Sequence, residues 1–320
     1  MADRLLKFLF SNAPVRGEVV RLDGAWQRMI RFHDYPLAVT ALLGQMTAAA
    51  ALLAANIKFN GTLILQIHGD GPVRLLVAEC QPGFRLRATA KLTEGAVIAG
   101  DAGLADLVNV HGNGRCAITL DPRDRLPGQQ PYQGVVPLTG DSIATALESY
   151  MRQSEQLDTR LWLAAGATAA AGVLLQRLPR EGGTAAGTRA YGKQPAQHPG
   201  EQAGEDDDAW PRATLLAGTL SAAEMLAEPA ETIARRLFWE EQLQHAAPAT
   251  PQFSCSCSRE RIGRMLTSMG REEVDAILAE HGRVEVTCDF CNAQQVFDPV
   301  DVGQLFATGV SHEADAGQRH

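Results

Sequence analysis

The sequence lacks an excess of positive charge. Lysine and arginine number 29 against 37 aspartates and glutamates, a net charge of −8 at pH 7. Proteins that bind nucleic acid through phosphate contacts need the opposite balance, so nucleic acid is set aside as a partner. An export signal is missing as well, because Asp3, Arg4 and Lys7 interrupt the early apolar run before a signal-peptide core accumulates. The expected location is therefore cytoplasmic, with thiols reduced at rest. No catalytic constellation occurs in residues 1–178, and no enzymatic activity is expected. Gly69-Asp70-Gly71 lacks the rest of a phosphate loop and its lysine, and every residue in it suits a hairpin turn. His33-Asp34 has no nucleophile motif beside it and reads as a polar entry to a helix. Cysteine is scarce, at six residues, and Cys80 and Cys116 stand alone beside apolar strands as small core residues.

Long uncharged runs are also few. Residues 36–57 carry no charge and are long enough to span a bilayer. The run is alanine-rich, holds Thr40, Gln45, Thr47 and Asn56, and repeats Leu42, Met46, Leu53 and Ile57 at helical spacing. That pattern predicts a buried core helix and no membrane partner.

What is present is an alternation of helices and strands. Leu5, Leu6, Leu9 and Phe10 suggest a short amphipathic helix, and 16–22 an extended segment. Residues 62–68 and 73–78 are β-rich runs around the turn signal Gly69-Asp70-Gly71-Pro72. Phe84, Leu86, Ala88 and Ala90 alternate with polar residues, and 116–120, 134–138 and 161–163 add strands. Asp141 or Ser142 caps a helix with Ile143, Leu147, Tyr150 and Met151 on one face. The fold class is α+β: a body with an antiparallel sheet over 1–178, large enough to need no metal. Residues 179–210 read as a disordered linker, since Glu181 to Asp208 is rich in Gly, Ala, Gln and acid and poor in large apolar residues. A helical module over 211–248 follows, its pattern returning near Leu215. Ser221 and Glu224 form a capping box, Pro229 opens a helix, Ile233, Leu237 and Phe238 make an apolar stripe, and Glu231 is placed to pair with Arg235. The module is too short to hold a core alone, so its stripe must dock, permanently or conditionally.

The remaining four cysteines form two tight pairs, Cys255-Ser-Cys257 and Cys288-Asp-Phe-Cys291, thirty residues apart. Two such pairs flanking a small insert signal four thiolates around one zinc ion. Ser258 caps a helix with Ile262, Met265, Leu266 and Met269 on one face, Gly270 breaks it, and Val274, Ile277 and Leu278 mark a second helix ending near Gly282. Val284, Val286 and Cys288 alternate as a strand, and a knuckle leads to Val296-Phe297. A zinc domain over 249–308, with a disordered tail over 309–320, is small enough to depend on its metal for folding. Thiolates bind zinc but are also what oxidants attack. Joining Cys255 to Cys257 and Cys288 to Cys291 needs little backbone movement and removes every metal donor. Arg259, Arg261 and Arg264 either offset the charge of a tetrathiolate site or form a solvated helix face.

These residues resemble the redox-regulated heat-shock holdases of the 33 kDa chaperonin family. The resemblance runs through Val15-Arg-Gly-Glu18, His33-Asp-Tyr-Pro36, Gly69-Asp-Gly-Pro72, Tyr132-Gln-Gly-Val-Val136, Ser154-Glu-Gln-Leu157 and Thr159-Arg160-Leu161. It continues in Cys255-Ser-Cys-Ser-Arg-Glu-Arg261, Glu273-Val-Asp275 and Ile277-Leu-Ala-Glu280. It implies an ATP-independent chaperone whose zinc-bound reduced form is inactive. Oxidation to two disulfides releases zinc, destabilises a module at about Leu215 to Leu243, and frees apolar surface for unfolding client proteins; the oxidised form tends to a homodimer. Cys255, Cys257, Cys288 and Cys291 would be both the ligands and the redox thiols. The segment 181–208 is longer than the family leads one to expect. Two other readings stay open on the residues alone: an adaptor with a purely structural zinc, and a thiol–disulfide enzyme using Cys288 and Cys291. Against the second, the motif follows a strand rather than opening a helix.

Overall fold

The computed structural model describes residues 2–57, 59–124, 130–179 and 208–309. Of the linker 179–210 and the tail 309–320, both expected from sequence to be disordered, residues 180–207 and 310–320 lie outside them, whereas Ala209, Trp210 and Gly309 are helical. The chain divides into two compact units, Met1–Ser254 and Cys255–His320.

In chain order the first unit contains β1 (Arg4–Phe10), β2 (Val15–Leu22), α1 (Gly24–Ile30), α2 (Leu37–Ala55), β3 (Gly61–His68), β4 (Val73–Gln81) and β5 (Arg85–Leu92). There follow α3 (Leu104–Val108), β6 (Arg115–Pro122), β7 (Tyr132–Pro137), α4 (Ile143–Ser154), β8 (Thr159–Ala165) and β9 (Ala170–Arg177). The unit closes with α5 (Ala209–Gly218), α6 (Ala222–Ala227), α7 (Ala230–Leu237), β10 (Leu243–His245) and β11 (Gln252–Phe253). Two sheets form, in the orders β10-β1-β2-β9-β8 and β11-β5-β4-β3-β6-β7. Pairing is antiparallel except where β11 joins β5.

Helix α2 is the layer between the sheets. It is long and apolar enough to cross a membrane, but fifteen of its residues are buried within this unit. Its Val39, Leu43 and Met46 share one core with Val20, Leu22 and Leu174 of the first sheet and Leu65, Ile67 and Leu76 of the second. Because both sheets press on it, the helix is apolar all round rather than striped. Gly44 permits the approach to the first sheet, since a Cβ there would lie 2.5 Å from that of Ala165.

The other face of the first sheet carries a second core. Leu6, Phe8 and Phe10 of β1, Val19 of β2 and Val173 and Leu175 of β9 meet Met225, Ile233, Leu237 and Phe238 of the helical stretch. The Phe238 ring sits 5.5 Å from Phe8 and 5.4 Å from Phe10. The expected capping box is present, with Ser221 Oγ accepting from the Glu224 N–H at 3.2 Å, and α7 begins directly after Pro229.

Four sequence expectations about the first unit need correction. Leu5, Leu6, Leu9 and Phe10 lie in strand β1, not a helix. Both faces of the strand are buried, Leu5 in one core and Leu6, Phe8 and Phe10 in the other, so its apolar residues do not alternate as those of a half-buried strand do. Helix starts at Ala209 rather than near Leu215, because its buried face is alanine (Ala209, Ala213, Ala217), which gives little hydrophobic signal. Glu231 pairs with Arg4 Nε at 2.7 Å, a partner 227 residues away, rather than with Arg235. Phe84 lies in the turn between β4 and β5 with φ 55°, outside the strand it was assigned to.

The second unit contains α8 (Arg259–Met269), α9 (Arg271–His281), β12 (Val284–Thr287), β13 (Gln294–Phe297) and α10 (Pro299–Gly309). The Ser258 hydroxyl caps α8 by accepting from the Arg261 N–H at 3.2 Å. Gly282 ends α9 in the left-handed region at φ 74°. The buried core is Ile262, Leu266, Val274, Val284, Phe297 and Val302. Met265 and Met269, expected on the buried stripe of α8, are 44% and 45% exposed; the buried face of that helix is Ile262, Gly263 and Leu266.

Candidate metal centre

Two local structures deliver the four sulfurs. Cys255 and Cys257 lie in the extended segment just before the α8 cap. Cys288 follows the end of β12, where its N–H donates to Ala293 O (3.0 Å) and its carbonyl accepts from Asn292 N–H (2.8 Å). Asn292 takes a positive φ of 56° to close this knuckle. The strand-to-knuckle turn places Cys291 beside Cys288, and all four Sγ atoms lie within 4.8 Å of one another. Two contacts run between the pairs: Cys255 to Cys288 at 3.6 Å and Cys257 to Cys291 at 3.2 Å.

The electrostatics of the cluster are those of a cation site. Burial, then hydrogen bonding to the neighbouring sulfurs, pushes the Cys257 thiol well above the ordinary range. Burial also raises Cys291, against the pull of the Ala293 N–H. At Cys288 burial pushes the same way, but the N–H groups of Phe290 and Cys291 outweigh it and bring the thiol below its usual value. Four sulfurs this close repel one another as thiolates, and a cation among them removes the repulsion. They can therefore hold a metal ion.

The arginines divide by role. Arg259 donates to Val296 O at 2.6 Å, pairs with Asp301 at 2.7 Å and lies 4.2 Å over the Phe297 ring, so it ties α8 to β13 and α10. Its hydrogen bond holds the Asp301 carboxyl below the usual range. Arg261 donates to Ser256 Oγ at 2.9 Å, bracing the residue between the first two cysteines. Cys80 and Cys116 are buried in the body, and burial pushes each thiol up to about 12. They belong to the core, as expected. His33 stacks on Tyr35 at 4.8 Å at the entry to α2. Asp70 accepts from the His111 and Asn113 N–H groups and serves as a turn brace.

Sequence reasoning missed Arg21. It is 4% exposed and pairs twice with Asp23 at 2.9 Å. It also donates to Met225 O (3.2 Å) and Glu228 O (3.1 Å), the carbonyls ending α6. The available signal was an arginine between Val20 and Leu22 at the end of a mostly buried strand, but its partners lie 204 and 207 residues away.

The fold and site define a class of two-unit protein, an α+β body with a helical cover followed by a small four-cysteine unit able to hold a metal ion. The Hsp33 protein family model matches residues 3–298. The chain is 47% identical over 305 residues to the 33 kDa chaperonin of Chromobacterium violaceum, covering 95% of this chain and 94% of that one. It is 43% identical to the 33 kDa chaperonin of Methylobacillus flagellatus, covering 97% and 96%. The crystal structure of the 33 kDa chaperonin from Thermotoga maritima superposes with a TM-score of 0.75 at 20% identity, covering 96% of this chain and 99% of that one. The chain belongs to the Hsp33 family of chaperones.

Proposed function

We propose that the protein is a redox-regulated, ATP-independent holdase of the cytoplasm whose four cysteines hold one zinc ion in the resting state. The observation that carries this is the cysteine cluster, with its sulfurs within 4.8 Å, in a unit with a six-residue buried core. A tetrahedral tetrathiolate zinc site has sulfur–sulfur edges of about 3.8 Å, given zinc–sulfur bonds of about 2.3 Å; the 3.6 Å between Cys255 and Cys288 is close to that edge, and the 3.2 Å between Cys257 and Cys291 is somewhat shorter. The ion supplies charge neutralisation and a cross-link between the α8 entry and the knuckle; with so small a core, the unit's fold depends on it.

The switch consumes the donors. Two thiolates and one hydrogen peroxide give one disulfide and two hydroxide ions, which two protons convert to water. Two such steps convert all four thiolates. We assign the pairs as Cys255–Cys257 and Cys288–Cys291, because each lies within one short loop and stays in reach once the cluster opens. No donor then remains for zinc, and the second unit loses its fold. Cys255 follows β11 by two residues, so the chain segment that ends the first unit loses its C-terminal tether. The α5–α7 cover is then released, and the Phe8, Phe10, Val19 and Leu175 face becomes available to unfolding clients. The same surface supports homodimerisation of the oxidised form.

The test is peroxide treatment at heat-shock temperature, with zinc release followed by a chromogenic chelator and client aggregation by light scattering. Loss of zinc together with suppression of aggregation is expected. Zinc loss without suppression refutes the holdase reading, and zinc retention with an unchanged fold leaves the ion a structural staple.

A further inference from the structure

Strand β1 is covered on its outer edge by a poorly anchored segment of the same chain. Residues 242–249 run antiparallel along it, with Phe8, Leu9 and Phe10 opposite His245, Gln244 and Leu243. The contacts are largely main-chain. Leu5 N–H donates to Ala249 O and Leu5 O accepts from Ala249 N–H, both at 2.9 Å; Lys7 O accepts from Ala246 N–H at 3.0 Å; Ser11 N–H donates to Gln242 O at 2.8 Å. Only Leu243 and Ala249 of the covering residues are half-buried, and the rest are exposed. Leu243 packs on the second core and His245 lies 6.1 Å from the Phe8 ring, so the side chains two apart sit over the phenylalanines. Beneath this cover β1 itself is mostly buried and apolar on both faces. An apolar edge with free N–H and C=O groups is a template for an added strand.

We infer that residues 242–249 are an internal stand-in for a client. Once they leave, the edge of β1 takes an extended stretch of unfolded polypeptide with apolar side chains two residues apart. The inference rests on the release proposed above. Main-chain bonding supplies affinity without reading sequence, which suits a surface that must accept many unfolded chains. Phe8 and Phe10 supply the preference for apolar side chains on one face of the added strand.

Strand geometry makes this testable residue by residue. The amides of Leu5, Leu9 and Ser11 face the covered edge, whereas those of Leu6 and Phe8 face β2. In the oxidised full-length protein, hydrogen exchange at Leu5, Leu9 and Ser11 is expected to quicken by roughly tenfold or more, while Leu6 and Phe8 stay protected. An eight-residue peptide alternating leucine and threonine should restore protection at the three edge amides, and its alternately N-methylated analogue should not. The proposal is overturned if the peptide binds without restoring them or if the N-methylated analogue binds equally. It is also overturned if protection returns with protein concentration alone, which would put a second copy on the edge, or if 242–249 stays in place while aggregation is suppressed. The variant Ala246→Pro separates this idea from the switch: it removes one edge donor without touching a thiol. In reduced, metal-loaded form it should expose the edge amides and bind the peptide. Exposed amides without binding would overturn the edge proposal and leave the holdase reading standing. Oxidised wild type that suppresses no aggregation would defeat that reading while this variant still decides the edge.

Discussion

Replacing Arg21 by methionine tests how the helical cover is held. The side chain keeps its apolar stem but loses both bonds to the α6 carbonyls, Met225 O and Glu228 O, and the two bonds to Asp23. Hydrogen bonds from a charged donor contribute about 1.5–3 kcal/mol each, and leaving one partner of a buried ion pair unpaired costs about 3–5 kcal/mol. Part of that cost falls on the body, because Asp23 is itself 6% exposed. The double variant Arg21→Met/Asp23→Asn removes the stranded carboxylate and isolates the bonds to α6. For the double variant we expect the cover to be weakened by about 3 kcal/mol, a rise of roughly a hundredfold in its released population. The assay is hydrogen exchange of residues 209–237 in the reduced, zinc-loaded protein, with α2 as internal reference, and aggregation suppression on the same sample. If exchange in 209–237 stays within about threefold of wild type, Arg21 does not secure the cover. If the cover is released and no client binding appears, release is not what activates the protein.

Two further outcomes follow from buried ionisable groups. Glu18 is 2% exposed, and burial, opposed by Arg16, Asn56 and Lys7, raises its carboxyl to about 7. The folded state then holds a proton that the unfolded state has released, so stability should fall as pH rises from about 4.5 to about 7 and level off above. The loss is at most about 3 kcal/mol; Glu18→Gln should flatten the profile in urea midpoints taken at pH 5 and 8, and an unchanged slope in the variant would refute the assignment. Alkylation of the metal-free protein should label Cys255, Cys257, Cys288 and Cys291, which are half-buried, and spare Cys80 and Cys116, which are buried in the core of the body. After peroxide, peptide mapping should find 255–257 and 288–291 links, whereas a 255–288 or 257–291 link would show that oxidation captures the cross-pair contacts of the folded cluster instead.

Much of the site was legible in the residues themselves because its chemistry is local. Two cysteines in a three- or four-residue window must lie close together whatever the fold. Ser221 with Glu224, and Ser258 before α8, act within one helical turn. The turn Gly69–Pro72 likewise needs nothing beyond its own backbone. The tertiary structure decided what depends on distant partners. Nothing near Leu5 and Phe8 in sequence tells a strand from a helix, because the strand is buried on both faces by elements up to 230 residues away. Nothing near Arg21 shows that its guanidinium ends α6, and nothing near Ala246 shows that it covers β1. The amino-acid sequence by itself therefore determined which atoms can bind metal and react. Long-range pairing of backbone and apolar surface decided what they hold closed, because a pattern along the chain records which faces are buried but not which surface buries them.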